Sequence, residues 1–381
     1  MGPVSRLARS VGLAAACALA LAAPAAAHNV PAPGTEVVAS GLDNPRGLDL
    51  AYGTLLVAEA GRGGSGPCVP GPTMGPVCFG TSGAVTLVSL PLHLQARVLS
   101  GLPSLANPDG TRATGPSDVS ISHKGIFLTI GLGGPPTTRS LLPPAGQTMG
   151  TLQRVRDGQL QQIADLDAFE HANNPDRAQP PEPRIESNPN SVDARGRPIA
   201  VADAGGNDIL GVTKDGGISV LALLPFGSAP FPAMPSPPPG SPPAGTIIPV
   251  DPVPTSVVRG PDGSLYVGQL TGFPFVPGTA RVFRIPPGGG TPQVFASGLS
   301  FITDLAFGAD GSLYVTEFAT QPFLMGPGAL IRIRPDGTRT ELAAGQLVNP
   351  MGVVLSRQAA YVSNHGAEPG KGEVVRIPIG D

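Results

Sequence analysis

From Glu36 to the end of the chain, short runs of alternating apolar and polar residues recur, each bounded by Gly, Pro, Asp or Ser. Alternation at period two is the pattern of strands with one buried face. The phrasing repeats as well as the period. Val38-Ala39-Ser40-Gly41-Leu42 returns as Val98-Leu99-Ser100-Gly101-Leu102 and as Phe295-Ala296-Ser297-Gly298-Leu299, and Asp-Gly-Ser-Leu-Tyr-Val occurs at 262–267 and 310–315. Repeats at roughly 40 to 50 residues, built from short strands and tight turns, predict an all-β, six-bladed propeller of four-stranded antiparallel blades.

Six units can be aligned. Their inner strands begin at Asn44-Pro45, Gly115-Pro116, Asn188-Pro189, Val253-Pro254, Phe301-Ile302 and Asn349-Pro350. Proline fits a strand's first residue, where no ladder donor is needed. The middle strands fall at 55–59, 127–131, 199–203, 265–269, 313–317 and 360–364, and the third strands at 85–89, 152–156, 209–213, 281–285, 330–334 and 373–377. Fourth strands follow at 97–100, 161–164, 219–222, 293–296 and 340–343, and the sixth unit has none. Residues 36–40 are a fourth-strand phrase with no blade before them, so they are expected to complete the last blade and close the ring, leaving no open edge. The blades then span approximately 44–100, 115–164, 189–222, 254–296, 302–343 and 350–381 within one domain, 28–381. Insertions are expected at 61–83 and 133–150, with linkers at 165–188 and 225–254. The last, with Pro237-Pro238-Pro239, reads as a stiff extended connector.

Composition changes this picture at the N-terminus and at the cysteines. Arg6 and Arg9 precede an apolar stretch that ends at Pro24 and Ala25-Ala26-Ala27, the pattern of a secretory signal peptide over residues 1–27. An uncleaved anchor or a lipoprotein cysteine at Cys17 are the competing readings. With Cys17 in the leader, Cys68 and Cys78 remain, and in an exported chain they read as one disulfide; zinc is a poor match for a lone pair without nearby histidines. Gly (53) and Pro (47) exceed a quarter of the residues, yet they fall between strand runs and so read as turns. A formal charge of −3 without charge blocks, and no Trp, points away from nucleic acid and anionic membranes. A monomer without a further membrane span is expected.

The run Val201-Ala202-Asp203-Ala204-Gly205-Gly206-Asn207-Asp208 resembles the phrase of NHL-type blades. Together with Ala39-Ser40-Gly41-Leu42, Asn44-Pro45-Arg46-Gly47, Asn173-Asn174-Pro175-Asp176 and Glu186-Ser187-Asn188-Pro189, the chain resembles the ScyD/ScyE family of exported bacterial propellers. The resemblance implies an exported six-bladed propeller of undefined activity, without catalytic residues to carry over. Arg177 departs from the family's Gly after Asn-Pro-Asp.

Two rows of residues carry the candidate chemistry. Middle strands end at Glu59, Ile130, Asp203, Gln269, Glu317 and Asn364, and inner strands open with Arg46, Ser117, Asn190, Thr255, Thr303 and Met351, followed by Gly47, Asp118, Ser191, Ser256, Asp304 and Gly352. Both rows are expected at one mouth of the central channel. Glu59, Asp203, Glu317, Gln269 and Asn364 form an oxygen set that would suit Ca²⁺; the competing reading is that each binds its own loop backbone. Arg46, Asp118, Asn190, Asp304 and His365 are candidate ligand contacts, His365 also for acid–base work. Gly61-x-Gly63-x-x-Gly66 mimics a dinucleotide fingerprint but runs into Pro67 instead of a helix. No nucleophile elbow, zincin or Walker motif is present. The expectation is a propeller that binds a small molecule or extracellular protein through loops at the channel mouth, with a metal-dependent lactonase-type hydrolase as the alternative.

Overall fold

The computed structural model describes residues 34–71, 75–179, 185–234 and 240–380. The leader pattern and the Pro237–239 run lie outside the described residues. Six antiparallel four-stranded blades form a β-propeller. Each inner strand leads outward through its blade, as in the fourth: Pro254–Arg259, Leu265–Gln269, Ala280–Ile285 and Gln293–Leu299. The first blade carries a fifth, short strand, Cys68–Pro70, which pairs with Pro76–Ser89. A disulfide joins Cys68 to Cys78 across that pair.

The ring closes as the strand count requires. Glu36–Asp43 pairs antiparallel with Pro369–Pro378, Glu36 facing Arg376 and Val37 facing Val375, and so becomes the outer strand of the sixth blade. The insertions hold more structure than loop composition announces. A short helix, Pro136–Ser140, lies in the second blade, and Leu166–Asn173 forms a helix after it, capped by the Asp165 carboxylate on Ala168 N–H. The stretch read as an extended connector doubles back instead: Gly227–Pro230 pairs with Ile247–Val250. A β-hairpin arises because Ser228, Ala229, Ile247 and Ile248 interrupt the prolines with residues able to pair.

The core is divided among the blade interfaces. Leu56, Val85, Leu128 and Ile130 pack between blades one and two, Val201, Leu210 and Leu152 between two and three, and corresponding sets fill the other interfaces. The closing interface is sealed by Ala39, Leu42, Leu55 and Tyr361. Truncating one such leucine to alanine costs about 2–5 kcal/mol. No helix among the described residues is long and apolar enough to cross a membrane.

Candidate functional site

The middle-strand row occupies one equivalent position, as its register shows: Glu59, Ile130, Asp203, Gln269 and Glu317 each face the first residue of their own inner strand. Their polar atoms do not meet over the channel. Glu59 Oε2 accepts from Asp43 N–H at 2.7 Å, Glu317 Oε1 from Ser300 N–H at 2.8 Å, and Asn364 Oδ1 from Val348 N–H at 2.7 Å. Asp203 Oδ1 accepts from the Asn188, Gly205 and Gly206 amides, and its Oδ2 from Ser187 Oγ. In the fourth blade Pro252 has no N–H to give, and the residue is Gln269, whose amide donates to Pro252 O at 3.3 Å. In the second, Thr114 N–H is taken by Leu105 O, and the position is Ile130.

Residue type in this row therefore follows what each loop backbone offers. The loop before the inner strand turns through a left-handed residue (Asn44, Val253, Phe301 or Asn349), which leaves an amide or carbonyl that a side chain must satisfy. The structure does not gather Glu59, Asp203, Gln269, Glu317 and Asn364 into one ion cage. Among the described residues no three His, Cys, Asp or Glu side chains stand close enough together, as they lie, to hold a metal ion. Glu59 is instead the centre of a buried network, bridged by Arg97 to Asp43, which also pairs with Arg62. Burial raises Glu317 to about 6.

The inner-strand rows do line the channel. In five blades the pairing shifts register right after the inner strand's first residue. Such a bulge turns two consecutive side chains towards one face. The first of the pair donates to the next blade: Asn190 Nδ2 to Thr255 O, Thr255 Oγ1 to Ile302 O, and Thr303 Oγ1 to Pro350 O. The second accepts from the next blade: Asp118 from Val192 N–H, Ser191 from Val257 N–H, Ser256 from Leu305 N–H, and Asp304 from Val353 N–H. Gly47 belongs to this row, and its missing Cβ makes room for the Asp118 carboxylate, which lies where that atom would stand.

Asp118 and Asp304 feel each other's charge within the channel. Burial raises Asp304 to about 6, and burial, then the charge of Asp304, raises Asp118 well above the ordinary carboxylate range. Two residues down the same faces lie Asp49 and Asp193, which sequence reading missed. Asp49 accepts from Ile121 N–H and holds Arg195 at 2.6 Å, and Asp193 accepts from Arg259 N–H. Period-two alternation along the inner strands was the signal that could have found them.

Arg46 is the exception to this mutual satisfaction. Its Nη2 donates to Ala113 O at 2.6 Å, and among the described residues no carboxylate pairs with it. Burial alone lowers it to about 10. His365 faces acids of its own blade, its Nδ1 3.4 Å from Glu368 Oε2 and its Nε2 4.0 Å from Glu373 Oε1.

The sequence matches no family model and no curated protein. Solved structures do match the fold. A structural-genomics protein of unknown function from Bacteroides thetaiotaomicron aligns at a TM-score of 0.55 and 9% identity, over 91% of this chain and 75% of its own. The PQQ-bound aldose sugar dehydrogenase of Streptomyces coelicolor aligns at 0.48 and 14%, over 91% and 99%. A gluconolactonase from Xanthomonas campestris aligns at 0.41 and 15%, again over 91% and 99%. At these identities the likeness is one of fold.

Proposed function

We propose that this chain is an exported binding propeller whose channel mouth takes a small polyhydroxylated anion. One observation carries the reading: a desolvated guanidinium, Arg46 on the first inner strand, has a carbonyl partner and, among the described residues, no counter-charge. A partly desolvated cation without a counter-charge is costly, and a carboxylate or phosphate offering two acceptors fits its fork. The Asp118 carboxylate lies against Gly47, the residue after Arg46, and with Asp304, whose charge it feels, would accept hydroxyls of the same ligand. The disulfide agrees with an oxidising, extracytoplasmic compartment. A lactonase-type metal enzyme is the less favoured reading, because the Glu59, Glu317 and Asn364 oxygens that would hold the ion are bonded to amides of their own loops. Membership of the ScyD/ScyE family, carried by the motifs around Asp176 and Asp203, is part of this proposal.

The test is a thermal-shift series with a polyhydroxy acid such as gluconate and its neutral parent sugar. The acid should raise the melting temperature more than the sugar, and Arg46→Gln should lose that difference while keeping its fold. A wild-type protein that answers neither compound, or an Arg46→Gln variant that answers the acid undiminished, would contradict the assignment.

A further inference from the structure

Three stretches distant in sequence meet above the third blade. They are the helix Leu166–Asn173 with the turn after it, the approach to the inner strand at Ser187, and the hairpin between Ile199–Asp203 and Asp208–Val212. Asn207 Nδ2 donates to Asp176 Oδ2 at 3.1 Å, and Ser187 Oγ donates to Asp203 at 2.6 Å. Four acidic side chains are enclosed there: Glu170, Asp176, Asp203 and Asp208, none more than 2% exposed.

Asp203 is fully bonded, and the others are not. Both carboxylate oxygens of Asp208 are buried without a hydrogen-bond partner, as are Glu170 Oε1 and Asp176 Oδ1. The amide oxygen of Asn174, in the turn that ends the helix, is buried and unpartnered too. Asp208 and Glu170 meet beside Gly206, and Asp176 is near enough for its charge to reach both. A Cβ on Gly206 would stand 3.3 Å from Glu170 Oε2, 3.5 Å from Asp208 Oδ1 and 3.6 Å from Asp203 Cγ, so the glycine leaves that side of the space open.

The charge around it is of one sign. Burial, and then the neighbouring carboxylates, raise Glu170 to about 8 and Asp208 well above its ordinary value, with no basic group offsetting either. The Arg139 guanidinium is occupied by Asp165 and Asp167 at the rim. Polar atoms buried without partners are expensive in any fold. Several on one spot, all of them oxygen, describe the requirement of a hard cation.

We propose that this pocket binds Ca²⁺, with Asp208 and Glu170 as its charged ligands and Asp176 and Asn174 completing an all-oxygen shell. Oxygen donors on a turn and a helix end suit the flexible, high coordination of Ca²⁺ better than the strict octahedron of Mg²⁺ or the nitrogen and sulfur preference of zinc. Since no three acid side chains stand ready to chelate as they lie, binding draws Glu170 and Asp208 together, and amide oxygens and water supply the rest. The site lies over one blade and is independent of Arg46, so either assignment stands or falls alone.

The experiment uses the full chain, stripped with a chelator and titrated with CaCl₂ near pH 7.5, by calorimetry and by melting. One Ca²⁺ per chain is expected, with a melting rise of roughly 4 °C at a hundredfold excess over the dissociation constant. Asp208→Asn should weaken the ion at least tenfold and leave the calcium-free protein as stable or more so, since it removes a buried carboxylate with nothing to bind. Gly206→Ala, whose backbone tolerates a side chain, should weaken the ion by placing a methyl beside the carboxylates. No heat and no melting shift in the wild type would overturn the proposal, as would Ca²⁺ binding that both variants leave unchanged.

Discussion

Glu317 and Gln269 hold the same position in neighbouring blades, and exchanging their chemistry is expected to have opposite consequences. Glu317 receives Ser300 N–H, and a glutamine in its place keeps that acceptor while removing a charge that burial disfavours. Gln269 gives its amide protons to Pro252 O, and a carboxylate there would face a carbonyl with no donor. Gln269→Glu should therefore cost about 2–3 kcal/mol at neutral pH. Glu317→Gln should be neutral or stabilising above about pH 6, where the wild-type carboxylate is charged. Denaturant melts of the two variants at pH 7.5 check this; equal losses would mean that the loop backbone does not dictate residue type here.

At the scale of the element, the inner strand does the most. Its bulge presents two residues in succession, and in blades three, four and five the first donates and the second accepts, so that each of these blades is sewn to the next. That arrangement puts Asp118 and Asp304 in a shared buried space. Asp304 titrates near 3.8 when unfolded and at about 6 when folded, so the folded chain binds more protons in between. Stability from this group is fully present below about pH 4 and is lost as pH rises through about 6. Its surroundings are Ser256 Oγ, the Leu305 and Val353 amides, and the charges of Asp118 and Arg195. In Asp304→Asn, the melting temperature relative to wild type should climb between pH 4 and 6 and then stay level. A difference independent of pH would show that Asp304 is not held protonated by burial.

The strands, their order and the equivalence of positions from blade to blade were legible in the sequence because repeated phrases align the blades. Direction was not. Nothing in the repeat says that Glu59 turns to Asp43 N–H, since that depends on a left-handed turn at Asn44 formed by a different segment. The pocket over the third blade was harder still. Glu170 and Asp176 come from a linker and Asp208 from a third strand, and only the folded chain brings them within reach of each other.

Across the whole molecule, stability rests on six interface cores and one closure. Deleting residues 36–40 removes the strand that covers Pro369–Pro378 and takes Ala39 from the closing core. The cost should be at least about 2 kcal/mol, with aggregation through the bared edge. An unchanged melting temperature would mean that the ring does not depend on this strand. The same ring sets the inner strands so that Arg46, Asp118 and Asp304 line one channel, on which the functional reading depends. A crystal structure of the chain grown with a polyhydroxy acid tests that reading most directly. The acid group is expected on the Arg46 guanidinium and its hydroxyls towards Asp118 and Asp304; an acid bound elsewhere while Arg46 keeps only Ala113 O would contradict that reading.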